Sequence, residues 1–324
     1  MSVRLPAAAD LQAAAERLEG RVRTTPVLEL AGSELGLPGR LLLKLELSQH
    51  TGSFKARGAL NSLLAAGAGS DGVVAASGGN HGAAVAWAAR SLGLPATVFV
   101  PSTSPAAKLD RVRSFGADVR VVEGYYPAAA AAASEWAEHR DVLAVPAYDG
   151  FDVVCGQATV GMELLDQAPG VAHVVVGCGG GGLFSGTALA GADAFTVTPV
   201  EPDGCPTMSA ALAAGRPVDV AVGGVASDSM GAPRIGETAF AVTRRLGTAS
   251  ALVTGEAVLE ARRWLWDRCR VLAEPGGAVA LAGVLSGAVS CASDVVVVVS
   301  GGNSADVPDG PARTRTVARG QEPR

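Results

Sequence analysis

The sequence predicts an α/β protein of two domains, each an open, mostly parallel sheet flanked by helices. Length, valine-rich runs and their alternation with helix-like stretches carry that expectation. At 324 residues the chain exceeds what one hydrophobic core organises, so about two domains are expected. Apolar runs at 73–76, 97–100, 119–122, 142–145, 174–176, 196–200 and 295–299 lack polar alternation. Parallel strands covered on both faces have that pattern. Between them lie helix-like stretches at 82–92, 105–115, 127–139, 156–168, 256–270 and 277–285, and such repetition builds βαβ units.

Four strand–helix steps in quick succession place a smaller domain at residues 70–147. Residues 1–69 and 148–308 form the larger one. Residues 309–324, with their Arg, Pro, Gly and Thr, read as a disordered tail. Hydrophobic residues make up 48% and charged residues 18%, enough apolar material for two buried sheets. A net charge of −5 argues against a nucleic-acid surface. The Ala-rich start is broken by Arg4, Asp10, Glu16 and Arg17, so it is no secretory signal. Nowhere do about 18 apolar residues run together, which argues against a membrane span. Five scattered cysteines without a CxxC pair suit reduced thiols in a cytoplasm rather than disulfides or zinc.

Ligands bind outside the carboxyl ends of parallel strands, and three glycine-rich turns stand there. They are Ser77-Gly78-Gly79-Asn80, Gly177-Cys178-Gly179-Gly180-Gly181-Gly182 and Ser300-Gly301-Gly302-Asn303. The second opens a helix near Leu183. Glycines there let amide groups approach an anion, and the helix dipole adds to the attraction. The same run fits GxGxxG, with Glu201 placed to hold a ribose, so spacing alone leaves a dinucleotide reading open.

Lysine usage bears on the choice, although spacing alone leaves a lysine in a first helical turn equally open to a solvent-facing role. Only Lys44, Lys55 and Lys108 occur among 26 basic residues, and an amine can form an imine where a guanidinium cannot. Lys44, in the amphipathic run 41–47, reads as solvated or paired with Glu46. Lys108 reads as a surface residue on a polar helix face. Lys55 follows Thr51-Gly52-Ser53-Phe54 and opens a helix that Ser53 is placed to cap. The helix dipole there lowers an amine pKa.

Ser53-Phe54-Lys55-Ala56-Arg57-Gly58-Ala59 closely resembles the cofactor-lysine motif of the serine/threonine dehydratase family, fold type II pyridoxal-phosphate enzymes that include serine racemase-like proteins. Ser77-Gly78-Gly79-Asn80-His81-Gly82, Gly179 to Gly182 and Ser300-Gly301-Gly302-Asn303 resemble its next three motifs, in order and spacing, over nearly the whole chain.

The resemblance implies a tryptophan synthase β-like fold whose larger domain binds pyridoxal 5'-phosphate and whose smaller one faces the substrate. Lys55 then holds the cofactor as a Schiff base and takes the substrate Cα proton. Phe54 lines the ring and Asn80 meets its 3′ oxygen. Gly179, Gly180, Gly181, Gly182 and the Leu183 amide wrap the phosphate, and Ser300 meets the pyridine nitrogen. A neutral hydroxyl at that nitrogen favours elimination over longer-lived carbanion chemistry. Ser53, Ser77, Gly78, Asn80 and His81 are substrate-binding candidates, with Tyr148 facing the pocket. His81 taken alone reads as structural.

Deamination of a β-hydroxy amino acid, L-serine or L-threonine, follows from the resemblance as the expected reaction, a lyase activity in cytoplasmic amino-acid metabolism carried by a homodimer. Related activities are racemisation, 3-hydroxyaspartate or phenylserine deamination, and β-replacement. More distant readings are an NAD-binding oxidoreductase and a non-catalytic ligand-binding protein.

The departures are informative. Racemising relatives carry a serine where Gly78 stands. Glu201-Pro202-Asp203 resembles the start of the family's divalent-cation site, but Thr207 occupies the place of a second carboxylate, so no metal is expected. Only a short tail follows Asn303, so the allosteric C-terminal domain of biosynthetic threonine dehydratases is not expected.

Overall fold

The computed structural model describes residues 3–67, 71–304 and 306–308; the tail expected at 309–324 lies outside the described residues. Along the chain, helix α1 (Ala8–Leu18) precedes strands β1 (Val27–Leu30) and β2 (Leu41–Leu45), and α2 (Lys55–Ala66) follows. Then come β3 (Gly72–Ala76), α3 (Asn80–Ser91), β4 (Ala96–Pro101), α4 (Ala106–Ser114), β5 (Asp118–Val122), α5 (Tyr126–Glu138) and β6 (Val142–Ala144). Helix α6 (Phe151–Gln167) leads on to β7 (His173–Gly177), α7 (Gly182–Ala190), β8 (Thr196–Pro202), α8 (Thr207–Ala214) and α9 (Ser227–Met230). The chain continues through α10 (Glu237–Leu246), β9 (Ala251–Val253), α11 (Gly255–Cys269), α12 (Pro275–Leu285) and β10 (Val295–Val299).

Two sheets result. The larger has the order β1-β2-β10-β7-β8-β9, the smaller β5-β4-β3-β6. Among the strands of the described residues, only the β1–β2 pair is antiparallel.

Strand β10 shows why the valine runs lack alternation. Val295, Val297 and Val299 pack with α11 and α12 on one face, and Val296 and Val298 pack with α6, α7 and α10 on the other. Each buried valine contributes about 1.5–3 kcal/mol relative to exposure, so both faces select for the same residue type. Strand β5 departs from that expectation. It is the edge of the smaller sheet, with Val121 half exposed and Arg120 over the Phe99 and Trp136 rings. A charged side chain on an edge discourages further strand pairing.

Candidate active site

The carboxyl ends of the two sheets face a cavity of about 600 Å³, within the range of small-molecule sites. The loops after all four strands of the smaller sheet line it, through Ser77 to His81, Pro101 to Pro105, Tyr125 to Pro127, and Tyr148. Lys55, Gly180 and residues 227–233 complete the lining.

Lys55 is the first residue of α2, preceded by Phe54 in helical conformation. Ser53 is therefore not the cap expected. It is extended, bridges to Gly301, and keeps its buried hydroxyl without a described partner. The Lys55 Nζ donates to the Ala147 carbonyl at 2.6 Å and lies 5.1 Å from the Phe54 ring centre. Burial pushes its pKa down to about 8. Desolvation, not the helix dipole, is the cause, and it penalises the ammonium form.

His81 is buried too, its Nε2 2.9 Å from the Val145 carbonyl. An acceptor there requires Nε2 to carry hydrogen. Burial, and then the Lys55 charge, push the imidazole pKa down to about 3. The ring is neutral and tied back to the protein. What His81 offers the cavity is its backbone amide.

No described residue accepts from the amides of Asn80, His81 or Gly82 at the start of α3, nor from those of Gly179, Gly180, Gly181, Gly182 and Leu183 at the start of α7. Two helix starts thus present unpaired donors, each suited to an anion. The second, a glycine loop leading into a helix, fits a phosphate. Protein neighbours also demand these glycines. A side chain at Gly180 would meet the Tyr148 ring at 2.2 Å, and Gly181 has φ +89° with Ala239 2.3 Å from its Cβ direction. Tyr148 is pinned by its hydroxyl, which donates to the Arg234 carbonyl at 3.2 Å.

Glu201, in the dinucleotide reading a ribose ligand, is fully buried and engaged elsewhere. Its carboxylate accepts from Met208 N at 2.5 Å, Ser209 N at 2.9 Å, and the hydroxyls of Ser209 and Ser250, both at 2.7 Å. Three of these donors converge on Oε2 and one reaches Oε1, so the carboxylate is held by α8 and Ser250 inside the protein and does not face the cavity as a ribose ligand would. The Thr207 hydroxyl stands between Gly179 O at 2.6 Å and Glu201 Oε1 at 3.2 Å. With one proton it donates to the nearer, tying α8 to the glycine loop.

The two Ser-Gly-Gly-Asn turns meet. Asn303 Nδ2 donates to Asn80 Oδ1 at 2.6 Å and to the Thr51 carbonyl at 2.8 Å. Asn80 Nδ2 donates to Glu274 at 2.5 Å. Glu274 is nearly buried and its pKa is raised by that burial. Sequence reasoning missed it, although an acidic residue directly before a proline at a helix start was a readable signal. Ser300 is buried between these turns, with its hydroxyl 3.4 Å from Gly276 O, a long contact.

Of the other two lysines, Lys44 departs from its sequence reading, whereas Lys108 is partly exposed. Lys108 lines the cavity and pairs with Asp228 at 3.0 Å. Lys44 is fully buried, donating to Thr25 O, Gln167 and Glu163. Glu163 also pairs with Arg57, which forks onto both oxygens of the buried Glu46 at 2.8 Å. Arg57 of the lysine motif therefore anchors α2 from behind the cavity.

Comparison with known proteins agrees with this geometry. Residues 18–301 match the family described as Pyridoxal-phosphate dependent enzyme. The chain is 36% identical over 301 residues to an L-threonine ammonia-lyase of Geobacter sulfurreducens, covering 90% of this chain and 74% of that protein. The structure superposes on maize serine racemase with a TM-score of 0.87 and 30% identity, covering 93% of this chain and 94% of that one. On the T.th. threonine deaminase the TM-score is 0.86 with 35% identity, covering 94% of this chain and 100% of that one. Over nearly nine-tenths of its length, then, from α1 to the turn after β10, the chain belongs to the pyridoxal-phosphate dependent enzymes of fold type II.

Proposed function

We propose that the protein deaminates a β-hydroxy amino acid, L-serine or L-threonine in the simplest case, by β-elimination to a 2-oxo acid and ammonia. The observation that carries this is one amine of depressed pKa on a cavity flanked by two sets of unpaired amides. When bound, pyridoxal phosphate supplies the electron sink that makes the Cα proton of an amino acid acidic.

The chain's own groups do the rest. The amides of Gly179, Gly180, Gly181, Gly182 and Leu183 hold the phosphate. Phe54 would back the ring, and Asn80 and Ser300 would supply hydrogen bonds to its 3′ oxygen and its nitrogen. Glu274 and Asn303 fix the Asn80 amide by taking its donor and filling its acceptor. The Asn80 and His81 amides, with Ser77 and Gly78 beside them, receive the substrate carboxylate. Lys55 Nζ anchors the cofactor and then takes the Cα proton; a pKa near 8 gives it a free-base fraction at neutral pH that an ordinary lysine lacks. In this reading residues 1–69 and 148–308 serve the cofactor and residues 70–147 the substrate.

A homodimer in the cytoplasm belongs to the same reading. The five free cysteines support a reducing compartment, and light scattering tests the dimer. Serine racemisation is the second reading, favoured by the likeness to maize serine racemase.

The test joins a 2-oxo acid assay to cofactor mapping. Lys55→Ala is expected to fold, to lose covalently held cofactor and to lose turnover. Borohydride reduction of the wild type should leave the pyridoxyl group on the Lys55 peptide. A label on Lys44 or Lys108, or turnover surviving in Lys55→Ala, would overturn the assignment.

A further inference from the structure

The chain has three tyrosines, and all three line the cavity. They form a wall of rising exposure. Tyr148 lies against the glycine loop, half-buried; Tyr126 is 46% exposed and Tyr125 74%. Tyr126 is close enough to Tyr148 to raise its pKa further, after burial itself. Val222, also on the lining, is left 42% exposed. Met230, Ala232 and Pro233 continue the lining on that side. Apolar side chains held open to water around a cavity mouth cost hydration free energy, and such rims mark binding sites.

Charge in the cavity points the same way. Beyond Lys55, the ionised side chains on its lining are Lys108 and Asp228, and they neutralise each other at 3.0 Å. A second substrate carboxylate would compete with Asp228 for that lysine. An uncharged aromatic side chain leaves the pair intact and covers the tyrosine wall, where offset and edge-on ring contacts add to apolar burial.

We infer that this subsite selects β-hydroxy amino acids with an aryl β-substituent, the 3-phenylserine class, over serine and over 3-hydroxyaspartate; the inference rests on the β-elimination reading. The balance is redox-neutral. The Cα–H bond and the β-C–O bond break, water leaves, and hydrolysis of the resulting enamine returns one water. The products are a 3-aryl-2-oxopropanoate and ammonia, with no external oxidant.

The experiment compares kcat/KM of the holoenzyme for L-serine, L-threonine, L-threo-3-phenylserine and L-threo-3-hydroxyaspartate, followed as 2-oxo acid. Phenylserine is expected to lead serine by at least tenfold. In Tyr126→Ala the phenylserine-to-serine ratio should fall at least tenfold, whereas Tyr126→Phe should keep it. Visible-band titration with non-reacting amino acids reads the subsite without turnover, and L-phenylalanine should bind at least tenfold more tightly than L-alanine or L-aspartate. Turnover of serine or threonine with phenylserine slower, a lead for hydroxyaspartate, or an unchanged ratio in Tyr126→Ala would each overturn the inference and leave elimination standing. If no substrate gives oxo acid while the cofactor is bound, the elimination reading itself fails.

Discussion

Position 78 separates elimination from racemisation with one atom group. Inverting Cα needs a proton donor on the face opposite the deprotonated one, and glycine has none. Gly78 has an ordinary negative-φ backbone, so a side chain meets no conformational strain. A Cβ there would approach the Ser104 hydroxyl at 2.9 Å, the Ser104 Cβ at 3.3 Å and Val100 at 3.7 Å. Turning Ser104 relieves the first contact and a backbone shift of a few tenths of an ångström the second, so Gly78→Ser should be accommodated with a small movement of the Ser104 turn. A placed acid–base group contributes roughly 10²–10⁴-fold. The wild type is expected to form little D-isomer, and Gly78→Ser to raise D-isomer relative to oxo acid. Chiral chromatography of residual substrate, run beside the oxo-acid assay, reports both. Efficient racemisation by the wild type would mean that another group supplies the second face. At this scale the sequence was readable where a motif carried chemistry, as at Lys55. It misread Lys44, because whether a lone lysine is buried depends on distant partners, here Glu163 and Gln167; Lys108 is partly exposed, and what its helix-face pattern did not carry is its place on the cavity beside Asp228.

Elements explain the glycine loop better than residues do. Thr207 on α8 donates to Gly179 O, and the start of α8 is held by the Glu201 carboxylate at the end of β8. Loop, strand and helix form one hydrogen-bonded unit beneath the unpaired amides. Thr207→Val keeps the shape and removes the donor, leaving Gly179 O without it, a loss of about 1–3 kcal/mol. Affinity for pyridoxal phosphate in a titration of the apoenzyme should fall on the order of tenfold, and Thr207→Ser should restore it. Because Glu201 is fully buried and engaged by protein donors, the titration should be the same in magnesium and in chelator. A chelator-sensitive affinity would contradict the network. Strand and helix positions were legible from the valine runs, since β10 and β7 lie buried on both faces. The exposure of β5 was not, because an edge position is a fact of sheet order, which no local pattern encodes. Helix α3 begins two residues earlier than the apolar stretch implied, since its first turn carries Asn80 and His81 into the site.

On the scale of the whole molecule, the chain leaves the larger sheet for the smaller through α2 and returns through α6, and these helices are locked together. Gly156 on α6 is so close to α2 that a Cβ would meet the Arg57 carbonyl and the Gly58 Cα at 2.7 Å. Beside that contact lies the buried cluster of Arg57, Glu46, Glu163 and Lys44, joining α2, β2, α6 and the Thr25 carbonyl. Burial works to raise the Glu46 pKa, and the Arg57 guanidinium, with Lys44, outweighs it, so the net direction is down. A carboxyl with a depressed folded pKa stabilises the fold above its unfolded value, about 4.3. That stabilisation is lost as pH falls through the folded value. Glu46→Gln leaves the Arg57 charge short of a partner, and breaking a buried pair in this way costs about 3–5 kcal/mol. The variant should therefore melt well below the wild type at pH 7. As pH falls towards the unfolded value, the unfolded chain takes up a proton that the folded carboxylate does not, so the gap should narrow from about pH 5 downward and close only below the depressed folded value. Thermal melts of both proteins at pH 7, 5, 4 and 3.5 measure it. A gap that stays constant across that range would mean that the ionised carboxylate is not what the cluster relies on, and that Glu46 holds α2 in place by shape and neutral hydrogen bonds alone.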